Sequence, residues 1–224
     1  MKRQRLSASD RRISILEAAR SLFAEKGFEG AGLQDIARRA NISQALIFQH
    51  FQTKESLYRA VLRNLIAEQD EAYRSFGQLE AGGEGLVKTL AYYFSRCLRP
   101  FGPYSAHGAR IQLASLAGEG SYAKLVAKRS ARFSRAALAK AIAVARTQGV
   151  LNGPDQDINN IQLFVQNIGI NLIVSRSRTP ALLPYSDDDL TILHDTVWFC
   201  ARGIGLDHKV IEAIDLGTFL NREN

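Results

Sequence analysis

The twenty residues Gly32 to Phe51, GLQDIARRANISQALIFQHF, admit few folds. Leu33, Ile36, Ala37 and Ala40 recur at helical spacing, which makes one side of a first short helix apolar. Asn41 follows where that helix must end, and asparagine tolerates the left-handed backbone that stops a helix. Ile42 supplies an apolar plug, and Ser43 is a good N-cap for a second helix from Gln44 to Phe51. In that second helix Ile47 and Phe51 are i,i+4 neighbours able to pack inward together. Gln44, Ala45, Phe48 and Gln49 are left on faces free to meet something else. Two helices joined this tightly form a helix-turn-helix, whose second helix enters a major groove in nucleic-acid-binding proteins. A helical hairpin inside a bundle core gives the same pattern, so the flanks must decide.

Those flanks carry ILEAARSLFAEKGFEG (15–30), LQDIARRANIS (33–43) and HFQTKESL (50–57). With Gly27, His50-Phe51 and Lys54-Glu55-x-Leu57 in order, the span from about Arg11 to Ile66 resembles the DNA-binding domain of TetR-type (tetracycline-repressor-type) transcriptional regulators. The resemblance covers about the first third of the chain; the remainder is similar to the family in helical character alone. It implies an all-α chain: a three-helix DNA-binding domain over 1–66, with its helix-turn-helix at 32–51, then a helical bundle over 67–224 for dimerisation and ligand binding. Two residues depart from the family pattern. Gly32 stands where Thr or Ser is usual, which removes a hydroxyl, and Phe48 stands where Tyr is usual, which removes a phenolic donor.

Charge placement favours nucleic acid. Residues 1–66 hold 12 Lys/Arg against 6 Asp/Glu, and residues 67–224 hold 17 against 16, so nearly all of the net +7 falls on the segment with the helix-turn-helix. Polyphosphate attracts such a surface through counterion release. The basic arm with Lys2, Arg3 and Arg5 is read equally as a phosphate or minor-groove contact and as a frayed tail. The second helix of the motif contains no Lys or Arg. Base reading therefore falls to Gln44 and Gln49, since an amide can bond adenine N6/N7 in bidentate fashion, with Phe48 against a thymine methyl and Ala45 beside it. Gln34, Ser43, His50, Thr53 and Lys54 are assigned to the DNA face as positioning contacts. His50 has a second reading, as a side chain that holds the helices together.

Ser9 or Asp10 can cap a first helix to about Lys26, where Gly27 stops it; Thr53 can cap a fourth, to about Phe76. GQLEAGGEG (77–85) reads as a flexible break, followed by helices at about 86–99, 104–117, 122–148, 155–178 and 188–203. No run alternates long enough to argue for a strand. Between Asp157 and Arg176 lie 18 uncharged residues, yet six are Asn or Gln, which argues against a membrane span. A helix apolar nearly all round must be covered on most faces. Ile161, Val165, Ile168 and Leu172, with Leu193 and Val197 from the last helix, are therefore expected to form a homodimer contact, as the resemblance also implies. The alternative is an internal core helix. The helix at 121–148 carries seven Lys/Arg and no acid, a solvated face or the seat of an acidic partner.

Catalysis finds little support: the four histidines are scattered, and there is no H-E-x-x-H, G-x-S-x-G or Walker loop. Cys97 and Cys200 lie far apart without metal-ligand spacing and read as buried thiols of a reducing, cytoplasmic compartment; no cofactor or metal is expected. Tyr93, Cys97, Phe101, Tyr104, His107 and Arg110 cluster around a Pro-bounded turn, with Phe133, Phe164 and Asn167 able to join them. Aromatic walls with few polar handles suit a small-molecule effector, and an aromatic core gives the same composition. The expected function is a homodimeric regulator, a repressor on family grounds, released from a palindromic operator by an effector. The rivals are a helical carrier with an incidental hairpin and a non-specific DNA-packaging protein.

Overall fold

The computed structural model describes residues 7–76, 80–99, 105–177 and 182–221. The helices are α1 (Ala8–Gly30), α2 (Leu33–Arg39), α3 (Gln44–His50), α4 (Lys54–Phe76), α5 (Gly83–Leu98) and α6 (Ala106–Ala117). They continue with α7 (Ser121–Thr147), α8 (Ile158–Arg176), α9 (Asp189–Gly203), α10 (His208–Glu212) and α11 (Gly217–Leu220). Among the described residues the extended pairing is a single antiparallel bridge between Leu151 and Leu206. The fold is all-α. Two compact units divide the chain: Met1–Glu68 with His107–Ala123, and Gln69–Ala106 with Lys124–Asn224.

In the first unit α1 begins one turn earlier than expected. Ser7, not Ser9 or Asp10, is the cap: its Oγ accepts from the Asp10 amide at 3.0 Å, and the Asp10 carboxylate accepts from the Ser7 amide at 3.2 Å. This reciprocal capping box satisfies two otherwise orphaned donors. Ile15, Ala19, Leu22 and Phe23 form the buried stripe of α1, at 0–2% exposure. At Gly27 the backbone turns to φ +70°, where a side chain would be strained, and the helix kinks. Ile36, Ile47, Phe51 and Leu57 complete the core from α2, α3, the residue after α3 and α4. Each such burial contributes about 1.5–3 kcal/mol. Ion pairs Lys26–Asp35 (2.8 Å) and Arg39–Glu25 (2.7 Å) tie the end of α1 to α2. They are solvent-exposed, so they orient the helices more than they stabilise them.

In the second unit α5 packs against α8, α9, α10 and α11. The glycine-rich break expected at 77–85 is only partly a break. Residues 77–79 lie outside the described residues, but from Gly83 the chain is already helical, and Gly83 and Gly85 are buried. A Cβ on Gly83 would stand 2.8 Å from Val150, so the glycines are there for close approach. The helices α10 and α11 had no counterpart in the sequence reading; Asp207 caps α10 by accepting from the Lys209 amide at 2.9 Å.

Helix α8 corrects the expected dimer residues. Ile161, Leu172, Leu193 and Val197 are 0–7% exposed within one chain, so they belong to its own core, the alternative left open above. Val165 and Ile168 are half-buried. On α8 and α9 the large apolar side chains that reach solvent are Leu163 (41%), Phe164 (64%), Leu190 (44%) and Phe199 (71%). A helix apolar on nearly every face hides its own inside, and the exposed Asn160, Asn167 and Asn171, spaced seven and four apart, are what mark the outer side. Among the described residues no helix is long and apolar enough to cross a membrane.

Candidate functional site

The turn between α2 and α3 is built as its residues dictate. Asn41 takes φ +55°, the one described non-glycine residue with positive φ. The Ile42 amide then donates back to the Ala37 carbonyl at 3.0 Å, and Ser43 Oγ accepts from the Leu46 amide at 3.3 Å. With Ile47 and Phe51 at 0% and 5% exposure, α3 is fixed against the core by one side only. The other side presents Ala45, Phe48 and Gln49 to solvent, with Gln44 half-buried beside them; Phe48 is 46% exposed. Gln34, Ser43 and Thr53 are exposed too. Ser43 and Thr53 already use a side-chain oxygen as a helix cap, Thr53 Oγ1 accepting from the Ser56 amide at 3.1 Å.

Two assigned side chains are more structural than their sequence positions suggest. Lys54 Nζ donates to the Glu29 carbonyl at 3.2 Å and sits 4.6 Å from the centre of the Phe28 ring. His50 is half-buried, and its carbonyl accepts from Arg12 Nη1 at 3.4 Å. Arg12 is a residue that sequence reasoning missed: its guanidinium lies 4.4 Å from the Phe51 ring centre, a cation at the C-terminal end of α3. A separation of 38 residues along the chain concealed this contact. Arg38, with 77% of its side chain exposed and its guanidinium 2.9 Å from Asp35, is a second such cation. Lys26 beside Asp35 and Arg39 beside Glu25 hold both carboxyls below their ordinary ranges.

The nine expected effector residues are not all described, and those that are fall in both units. Phe101 and Tyr104 lie outside the described residues. His107 and Arg110 belong to the first unit, where burial and then Arg20 and Arg110 depress the His107 pKa. Phe164 and Asn167 face solvent, and Phe133 is half-buried. Cys97 is fully buried, which pushes its thiol up to about 12. Of the described members, Tyr93 alone lines an apolar cavity within the second unit.

That cavity, about 100 Å³, lies among α5, α7, α8 and α9. Leu86, Leu90, Leu138, Ile161, Val165 and Ile204 give it apolar walls. Ser130, Gln162 and Gln166 supply a polar corner, where both amide groups donate to Ser130 Oγ. Cys200 is also at its wall, its thiol raised to about 11 by burial.

Residues 15–61 match the family model for bacterial regulatory proteins of the tetR family. Over that stretch the chain is similar to this family. It is 39% identical over 75 residues to the HTH-type transcriptional activator FasR of Mycolicibacterium smegmatis, covering 32% of this chain and 34% of that one. It is 40% identical over 72 residues to the HTH-type transcriptional repressor AcnR of Corynebacterium diphtheriae, covering 32% and 38%. The chain thus spans about a third of the length of these curated relatives. A tetR-family regulatory protein from Rhodococcus RHA1 has the same fold, with a TM-score of 0.64 at 19% identity over 90% of this chain and 99% of that one. The ketosteroid transcriptional regulator KstR2 of Mycobacterium tuberculosis does too, at 0.64 and 20% identity over 91% and 98%.

Both departures from the usual TetR pattern are visible in the geometry. Gly32 is the N-cap of α2 and makes no side-chain cap hydrogen bond. Phe48 presents a bare ring where the pattern it resembles carries a phenol.

Proposed function

We propose that this chain is a TetR-type, sequence-specific DNA-binding transcriptional regulator that acts in the cytoplasm as a homodimer on a palindromic operator. One observation carries the reading. The short helix α3 is locked by Ile47 and Phe51, while Gln44, Ala45, Phe48 and Gln49 share its free side. A helix held that way can enter a major groove with amides at its surface. Two-fold symmetry of the protein then requires two-fold symmetry of the site. Cations beside α3, such as Arg12 and Arg38, supply phosphate contacts that position without specifying.

The second copy seats on the outer side of α8 and α9, where Leu163, Phe164, Leu190 and Phe199 reach solvent. This replaces the inner-face residues expected from periodicity. The action is repression relieved by a small molecule in the second unit. AcnR is named a repressor and FasR an activator, so proteins similar to this chain over its first third include both polarities. A non-specific packaging role is disfavoured because α3 exposes no cation of its own.

Selection of bound fragments from random duplex tests the reading. The expected outcome is an inverted repeat, with Gln49→Ala costing about 1–3 kcal/mol at one base pair of each half-site. Recovery of unrelated sequences with equal affinity would rule it out.

A further inference from the structure

The polar corner of the cavity carries more chemistry than its walls require. Ser130 is fully buried and accepts from the amide nitrogens of both Gln162 and Gln166, one turn apart on α8. Nearby hydroxyls have spent their protons elsewhere: Ser134 Oγ donates to the Ser130 carbonyl at 2.9 Å and Thr89 Oγ1 to the Gly85 carbonyl at 2.6 Å. Gln162 Oε1 is buried and accepts no hydrogen bond from a described residue. A buried acceptor left in that state costs about 1–3 kcal/mol. No Asp, Glu, Lys, Arg or His lines the cavity.

We infer that this cavity binds an uncharged, single-ring-sized apolar molecule bearing one hydroxyl, which hydrogen-bonds the Gln162 side-chain amide. This deepens the regulator reading, on which it rests for its biological meaning, by naming the class of effector. Size, charge and the orphaned amide each bear on it. An apolar cavity of roughly 150 Å³ takes benzene, so one of about 100 Å³ has room for at most a single ring and for no long acyl chain or nucleotide. A carboxylate or ammonium would lose its hydration with no opposite charge to meet it. A hydroxyl both donates and accepts, so it completes the corner whichever way the Gln162 amide is turned. Ser130, Gln162 and Gln166 fix one end of the ligand, and Leu86, Leu138 and Ile204 enclose the rest.

Calorimetric titration of the full chain with 4-methylphenol, toluene and 4-methylbenzoate tests this. The expected order is 4-methylphenol tightest, toluene weaker by up to about tenfold for the one lost hydrogen bond, and 4-methylbenzoate silent. Gln162→Leu removes the amide and brings the phenol-to-toluene ratio to about one while toluene still binds. Leu138→Phe fills the cavity and weakens both neutral probes, which keeps the inference testable should the Gln162→Leu variant fold poorly. Binding of 4-methylbenzoate as tight as that of 4-methylphenol overturns the inference, as does failure of both neutral probes to bind. A chain that selects an operator but binds neither neutral probe refutes this inference alone. A chain that binds 4-methylphenol and selects no duplex refutes the regulator reading and leaves the ligand class standing.

Discussion

Lys54 separates a structural role from a phosphate contact in one substitution. After the kink at Gly27, Phe28 packs on Tyr58 with ring centres 5.0 Å apart, and Tyr58 packs on Phe23 at 4.9 Å. Lys54 closes over this cluster, donating to the Glu29 carbonyl and covering the Phe28 ring, and so pins the corner from which α2 departs. A charged hydrogen bond contributes about 1.5–3 kcal/mol when buried, and a cation over a ring about 0.5–1 kcal/mol at an exposed site. Lys54 is half-buried, so solvent screens both, and about 1–2 kcal/mol together is the expected worth. Lys54→Met keeps most of the stem and deletes the ammonium. Its thermal midpoint, followed by circular dichroism, should fall by about 2–8 °C for a chain of this length. Its affinity for any duplex should weaken through a loosened α2–α3 corner, with the slope of log affinity against log salt unchanged. A lysine that instead met a phosphate would flatten that slope by about 0.9 and leave the midpoint alone. That second pattern would refute the pinning role.

Ile47→Ala opens a hole under α3 and should cost about 2–5 kcal/mol, read as a lower denaturant midpoint. Asp70 is 7% exposed and its carboxylate accepts from Arg129 Nε at 2.7 Å. Asp70→Asn should cost about 1–3 kcal/mol by calorimetry, below the range for a fully buried pair because Arg129 reaches solvent. The hydrogen bond from Arg129 holds the Asp70 pKa below 3.8 in the folded chain, so its contribution is present above that value and is lost as pH falls through the folded pKa. Burial depresses the His107 pKa below 6.5, so the unfolded chain binds the proton first. Stability should therefore decline as pH drops from about 6.5 to the folded value, and His107→Gln should remove that limb from a pH series of urea midpoints.

Helix periods, caps and the turn at Asn41 were legible because each is a local steric or hydrogen-bonding preference of a few residues. Ser43 and Thr53 cap as their side chains predict, and Ile47 and Phe51 face inward as their spacing predicts. The small helices α10 and α11 were not legible, since five and four residues are too few to show a period. Long-range partners were hidden for another reason. Nothing local to Lys54 shows that Glu29 will offer it a carbonyl, or local to Arg12 that Phe51 will lie beneath it. Tyr93 and Cys97, one turn apart on α5, meet through a side-chain hydrogen bond, yet Tyr93 alone of the two also lines the cavity. The structure turns Tyr93 to the cavity and seals Cys97 in the core.

Helix α8 shows how the same chemistry acquires opposite uses from phase alone. Its amides divide by side: Gln162 and Gln166 turn inward to Ser130, while Asn160, Asn167 and Asn171 turn outward with Leu163 and Phe164. Gln162 and Phe164 are two residues apart, so they point to different faces of one rigid turn. On the proposed reading, a ligand hydroxyl that draws on the Gln162 amide acts on the same helix whose outer side would seat a second copy. Gly169 lets α8 lie against the Tyr93 ring at the cavity wall, since a Cβ there would stand 2.7 Å from Tyr93 Cζ. On that reading, a coupling of about 1–3 kcal/mol between cavity and interface would change operator occupancy 5- to 150-fold.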